Sequence, residues 1–184
     1  RGGFALNMLE ATSVEYPGRS YYCGTSIEDD GKIEGLRRLT DAVHAVGGKI
    51  GIQLQHGGCR AYVNAEDSAP MRLVSFIPGR TSYDRSRVMN LDDIRTVVDA
   101  FKKAAMRAVQ AGFDLVQIHG GHGYLLSQFL SPYFNRRTDE YGGSLENRVR
   151  FPLEVLRAVR ETVGDFPVSF RLTTEEFVEE GYHL

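Results

Sequence analysis

Residues 49–55 read KIGIQLQ, and the architecture turns on this short run. Gln53 and Gln55 fall on one face of a strand and Ile52 on the other, the period of two that separates the faces of a sheet. The pattern returns at 114–119, DLVQIH, where Gln117 and His119 share a face opposite Ile118. It returns again at 168–173, VSFRLT, where Ser169, Arg171 and Thr173 oppose Phe170. A doubly wound sheet covered on both faces would carry nearly continuous apolar strands. Polar side chains at the C-terminal ends of parallel strands, facing a common interior, are how a (β/α) barrel builds an active site.

Outward from these runs, strands are predicted at 5–11, 49–55, 114–119 and 168–173. Helical patterns lie between them at 32–46, 91–110 and 145–163. In the second helix Ile94, Val97, Val98, Phe101, Ala105 and Ala108 share one face, Asn90 is placed to cap its start, and Gly112 to stop it. Pro152 removes a backbone donor from the third, predicting a kink or a tight first turn there. Strands alternating with helices imply right-handed crossovers and a parallel sheet, here four strands of a barrel's eight.

The 184 residues, 42% hydrophobic and 25% charged, suit a globular domain with one sizeable core and exclude a disordered chain. With 22 basic and 24 acidic residues the formal charge is -2, so no basic footprint points to nucleic acid or an anionic membrane. Cys23 and Cys59 are too few for a disulfide scaffold, a four-cysteine zinc site or an iron-sulfur cluster, and a cytoplasmic location is expected. No apolar run approaches the length of a membrane span, and no signal peptide is recognised. The start at Arg1-Gly2-Gly3, without Met, reads as the middle of a protein.

The densest chemistry is His119-Gly120-Gly121-His122-Gly123-Tyr124, at the end of the third predicted strand. Taken singly, these residues fit a satisfied core histidine, a packing aromatic and turn-forming glycines. A phosphate cradle fits poorly, because the spacing is not GxGxxG and no Lys-Ser/Thr pair follows. His119 and His122 with His56 offer a metal-site alternative, and with it a metal-dependent barrel hydrolase.

The stretch His119 to Arg148, HGGHGYLLSQFLSPYFNRRTDEYGGSLENR, closely resembles the signature of the Old Yellow Enzyme family of FMN-dependent NAD(P)H:flavin oxidoreductases, including its 2,4-dienoyl-CoA reductase-like and enoate reductase-like members. Residues 2–14, GIQLQHGG at 51–58 and VSFRLT at 168–173 resemble that family's second, third and fifth strands. The resemblance implies an α/β fold, a partial TIM (β/α)8 barrel covering approximately strands 2 to 5. Residues 1–184 would be the central part of one FMN-binding domain, with the first strand, strands 6 to 8 and the main flavin phosphate site outside it. It implies an ene-reductase, in which hydride passes from NAD(P)H through FMN to an alkene conjugated with a carbonyl. The partners implied are a small-molecule enone or enoyl substrate and a second copy in a homo-oligomer, with neither nucleic acid nor membrane. Longer relatives of this kind add an iron-sulfur cluster and a second, FAD-binding domain downstream. An inactive half-barrel is the non-enzyme alternative.

Roles carried over by resemblance place Gln53 on the flavin pyrimidine edge, where an amide offers both donor and acceptor. Arg171 resembles the arginine near flavin N1, and Ala11 a strand-two position whose small side chain leaves room for the ring. His119 and His122 resemble the pair that grips the substrate carbonyl oxygen, and Tyr124 the phenol that protonates the α-carbon. His122, where some members have asparagine, puts the chain with the His-His branch. The segment 135–147 is expected to hold its own loop. Two departures stand out: Cys59 precedes Arg60 where the arginine is expected directly, and 61–88 matches only loosely around Ala69-Pro70.

Overall fold

The computed structural model describes residues 2–62, 70–77 and 86–183. In chain order its elements are β1 (Leu6–Ser13), α1 (Ile33–His44), β2 (Lys49–Gln55), β3 (Met71–Leu73), β4 (Ser86–Val88), α2 (Leu91–Gln110), β5 (Leu115–Gly120), α3 (Leu125–Leu130), α4 (Leu145–Arg148), α5 (Arg150–Val163) and β6 (Val168–Leu172). Four strands form one parallel sheet in the order β1-β2-β5-β6, so neighbours in space follow the order of the chain. β3 and β4 make a separate parallel pair.

Ile50, Ile52 and Leu54 of β2 and Val116 and Ile118 of β5 are buried in one apolar cluster with Ile94, Val97, Phe101, Ala105 and Ala108 of α2 and Phe151, Val155 and Val159 of α5. The helices thus cover one face of the sheet, and Gln53, Gln55, Gln117 and His119 stand on the other. α2 runs over the predicted residues because Asn90 and Asp93 form a reciprocal capping box at its start, and Gly112 takes φ +84 just past its end. The predicted helix at 145–163 is divided at Val149, and Pro152 lies in the first turn of α5. Pro152 has no N–H to close onto the Arg148 carbonyl, so the ladder breaks there.

β1 extends two residues beyond the predicted end, to Ser13, because its register shifts between Leu9 and Ala11 and pairing then resumes to Ser13↔Gln55. β3, β4 and α3 have no counterpart among the predicted elements. α3 is buried at Leu125, Leu126, Ser127, Gln128 and Phe129, so it lacks the alternation of faces that betrays a surface helix. Ala69 of the loosely matching loop lies outside the described residues, whereas Pro70 is described. Among the described residues, no helix is long and apolar enough to cross a membrane.

Candidate active site

Strand register sets the site. Ala11 pairs with Gln53, Gln53 with Gln117, and Gln117 with Ser169, giving one row across all four strands. Two residues further along, Ser13 pairs with Gln55 and His119 with Arg171. The first row is wired through its side chains: Gln53 Nε2 donates to Gln117 Oε1 at 2.5 Å, and Gln117 Nε2 to Ser169 Oγ at 3.2 Å. Gln53 is buried on the polar side of the sheet, where its Nε2 is spent on Gln117. Ala11 beside it adds no bulk.

The loop 120–124 leaves β5 in a path few residues allow. A β-carbon at Gly120 would come 2.1 Å from Cε1 of Phe170, so only glycine passes between β5 and β6. His122 itself takes φ +57, held there by its N–H donating to Thr173 Oγ1 at 2.8 Å. Tyr124 occupies the N-cap of α3, and Leu125 N–H donates to the His56 carbonyl at 2.9 Å, docking the helix on the end of β2. Gln128 ties the two loops together: its Nε2 donates to Gly57 O at 3.1 Å and Gly123 O at 2.7 Å, and its Oε1 accepts from Cys59 N–H at 3.1 Å.

These constraints gather three of the predicted residues. The His119 ring centroid lies 5.1 Å from that of His122 and 5.1 Å from that of Tyr124, edge to face in both cases. Gly121 N–H donates to His119 Nδ1 at 3.3 Å, so the neutral ring carries its proton on Nε2. Arg171 Nη2 lies 3.2 Å from His122 Nε2; a guanidinium only donates, so His122 keeps its proton on Nδ1. Burial, with the neighbouring His122 and Arg171, pushes His119 down to about 4. His122 is also lowered, by burial and then by Arg171 and Arg60. At neutral pH the pair is therefore two uncharged imidazoles, each with one N–H to offer. Burial holds the Tyr124 phenol above its ordinary value of 10.0, so it is protonated; the Tyr21 hydroxyl lies 3.3 Å from its own.

The other predicted residues sort clearly. His56 does not join the pair: its Nε2 contacts Glu15 Oε1 at 2.9 Å, and its Nδ1 accepts from Gly58 N–H at 3.0 Å. Both nitrogens are committed, which removes the third ligand of the metal alternative. Burial alone would raise Glu15, but His56 and Arg72 outweigh it and lower the carboxyl. The segment 135–147 is tied both to itself and to its neighbours: Asn135 Nδ2 donates to the Tyr141 carbonyl at 2.7 Å and to the Phe129 carbonyl of α3 at 2.8 Å, and Arg137 Nη1 to Met89 O before α2 at 2.7 Å. The sequence places Gln117 and Thr173 on the polar face without giving either a role. It passes over Gln128, for which the only signal is a glutamine inside the apolar run LLSQFL.

The family model for the NADH:flavin oxidoreductase / NADH oxidase family matches residues 1–184. An NADPH dehydrogenase of Geobacillus sp. (strain WCH70) is 44% identical over 180 residues, covering 98% of this chain and 52% of that protein. An NADH oxidase of Thermoanaerobacter brockii is 41% identical over 186 residues, covering 100% of this chain and 29% of that protein. The solved structure of an old yellow enzyme homologue from Zymomonas mobilis superposes with a TM-score of 0.85 at 33% identity, covering 97% of this chain and 52% of that one. The fold is accordingly a partial TIM barrel, and the chain spans about half or less of the length of these relatives.

Proposed function

The chain belongs to the NADH:flavin oxidoreductase / NADH oxidase family, and from that membership we propose that it is the central part of a single FMN-binding (β/α)8 domain, with the first strand and strands six to eight outside it, in an ene-reductase. The observation that carries the reading is the trio of His119, His122 and Tyr124, two neutral N–H donors beside a protonated phenol.

The row beneath them suits a flavin. Gln53 offers its amide to the pyrimidine edge, Ala11 leaves room for the ring, and Arg171 brings positive charge to the same face. When bound, FMN would supply the two-electron chemistry that links NAD(P)H to a conjugated alkene. His119 Nε2–H and His122 Nδ1–H converge on the substrate carbonyl oxygen and stabilise the enolate charge that builds there. Tyr124 then delivers its proton to the α-carbon. The substrate class is a small enone or enoyl compound, and the protein acts as a homo-oligomer in the cytoplasm.

Tyr124→Phe in the complete protein tests the assignment. FMN content and flavin reduction by NAD(P)H should stay near wild type, while reoxidation by an enone should slow by roughly 10²- to 10⁴-fold, the range for a positioned general acid. Equal loss in both half-reactions would make Tyr124 a packing residue.

A further inference from the structure

The hydroxyl 3.3 Å from that of Tyr124 belongs to Tyr21, on the loop that follows β1 and 103 residues away in sequence. This loop is pinned at several points. Ser13 N–H donates to Thr25 O and Ile27 N–H to Ser13 O, both at 2.9 Å, closing its base. Gly57 N–H donates to Gly18 O at 2.7 Å and Tyr62 N–H to Arg19 O at 2.6 Å, lashing it to the turn after β2. The Tyr22 ring meets Tyr62 edge-on with centroids 5.8 Å apart, and Arg19 pairs with Glu28 at 2.6 Å. Tyr21 is thus held over Tyr124 by a built segment.

Each phenol has one proton to give. If Tyr124 donated to Tyr21, its proton would be engaged and unavailable to a substrate. If Tyr21 donates, the Tyr124 proton is free, and the bond strengthens as that proton leaves, because a phenolate accepts better than a phenol. Ser20, the other hydroxyl beside Tyr124, gives its proton to Gln55 Oε1 at 3.0 Å. The titratable and charged groups facing Tyr124 are Tyr21 from the β1 loop, Arg60 from the turn after β2 and the His119 ring from β5. Arg60 lies so near that a β-carbon at Gly123 would come 3.1 Å from its Nε.

We propose that Tyr21 is a positioning residue for proton delivery, its hydroxyl donating to Tyr124 and stabilising the phenolate left when the Tyr124 proton moves to the substrate α-carbon. The role rests on Tyr124 being the acid of the reaction proposed above. In the step, a C–H bond forms at the α-carbon as the Tyr124 O–H breaks, and the enolate's charge passes to the Tyr124 oxygen. Tyr21, 58% exposed, then relays a proton from water back to it.

The test uses the complete FMN-loaded protein labelled with [ζ-¹³C]tyrosine, as wild type, Tyr21→Phe, Tyr124→Phe and the double variant. The Tyr124 resonance, identified by its loss in Tyr124→Phe, should titrate about one pH unit or more higher in Tyr21→Phe, because the phenolate has lost its donor. FMN content and reduction by NAD(P)H should not change in Tyr21→Phe, and enone reoxidation should slow by about 10- to 100-fold. An unchanged Tyr124 titration would overturn the proposal. So would further slowing of the double variant relative to Tyr124→Phe, which would make Tyr21 a substrate contact. Wild-type reoxidation in Tyr124→Phe, with the titration still shifted in Tyr21→Phe, would overturn the acid assignment and the role with it, while leaving the hydrogen bond intact.

Discussion

His119 can donate to a carbonyl oxygen only from Nε2, because Gly121 N–H already occupies Nδ1. Its folded value of about 4, against an ordinary 6.5, has a cost for stability. Between these values the unfolded chain binds more protons than the folded one, so the stability present above pH 6.5 is lost as pH falls towards 4. His119→Gln, which cannot titrate, should flatten that part of the stability profile. Urea midpoints of the complete protein at several pH values, wild type against variant, would check it; parallel curves would contradict the buried neutral ring. The HGGHGY motif sets the two histidines and Tyr124 within six residues, and the fold brings their rings together, while the roles proposed for them come from the family resemblance. Which nitrogen each ring offers was not readable, because it depends on Gly121 N–H and on Arg171, 49 residues from His122.

At the scale of elements, Gln128 decides how the turn after β2 meets the loop before α3. Its amide satisfies two carbonyls and one N–H, all drawn from these two loops. Gln128→Leu keeps the bulk but leaves those groups unpaired in a buried setting, and should destabilise the protein by about 2–4 kcal/mol. Because Gly123 precedes Tyr124, enone binding should weaken with it. Chemical denaturation and an enone binding titration would measure the two effects; stability within about 0.5 kcal/mol of wild type would contradict the account. The strands and long helices were legible because alternation and capping are local: β2 and α2 lie where KIGIQLQ and the Asn90 cap put them. α3 was hidden by its uniform burial, and β3 and β4, of three residues each, are too short for a period to show.

For the whole molecule, β1 and β6 are the outer strands of the four-stranded sheet, and Leu6, Met8 and Leu172 on them are 47%, 38% and 49% exposed. A closed barrel would pair such edges and cover such side chains. In (β/α)8 barrels the phosphate site commonly follows strands seven and eight, so the 184 residues alone should bind FMN about 100-fold or more weakly than the complete protein. Fluorescence titration with FMN would compare them; equal affinity would mean that the phosphate is held within β1 to β6. The barrel could be inferred from the polar ends of three strands, whereas the Gln53-Gln117-Ser169 ladder needed the register that only the folded sheet supplies. The ene-reductase reading meets its most direct test in one anaerobic mixing experiment. The complete protein, its flavin reduced with NADPH, is mixed with 2-cyclohexenone or with cyclohexanone. The enone should restore the oxidised flavin band and yield an equimolar amount of saturated ketone, and cyclohexanone should do neither. Flavin that stays reduced with the enone yet reoxidises in air would contradict the reading.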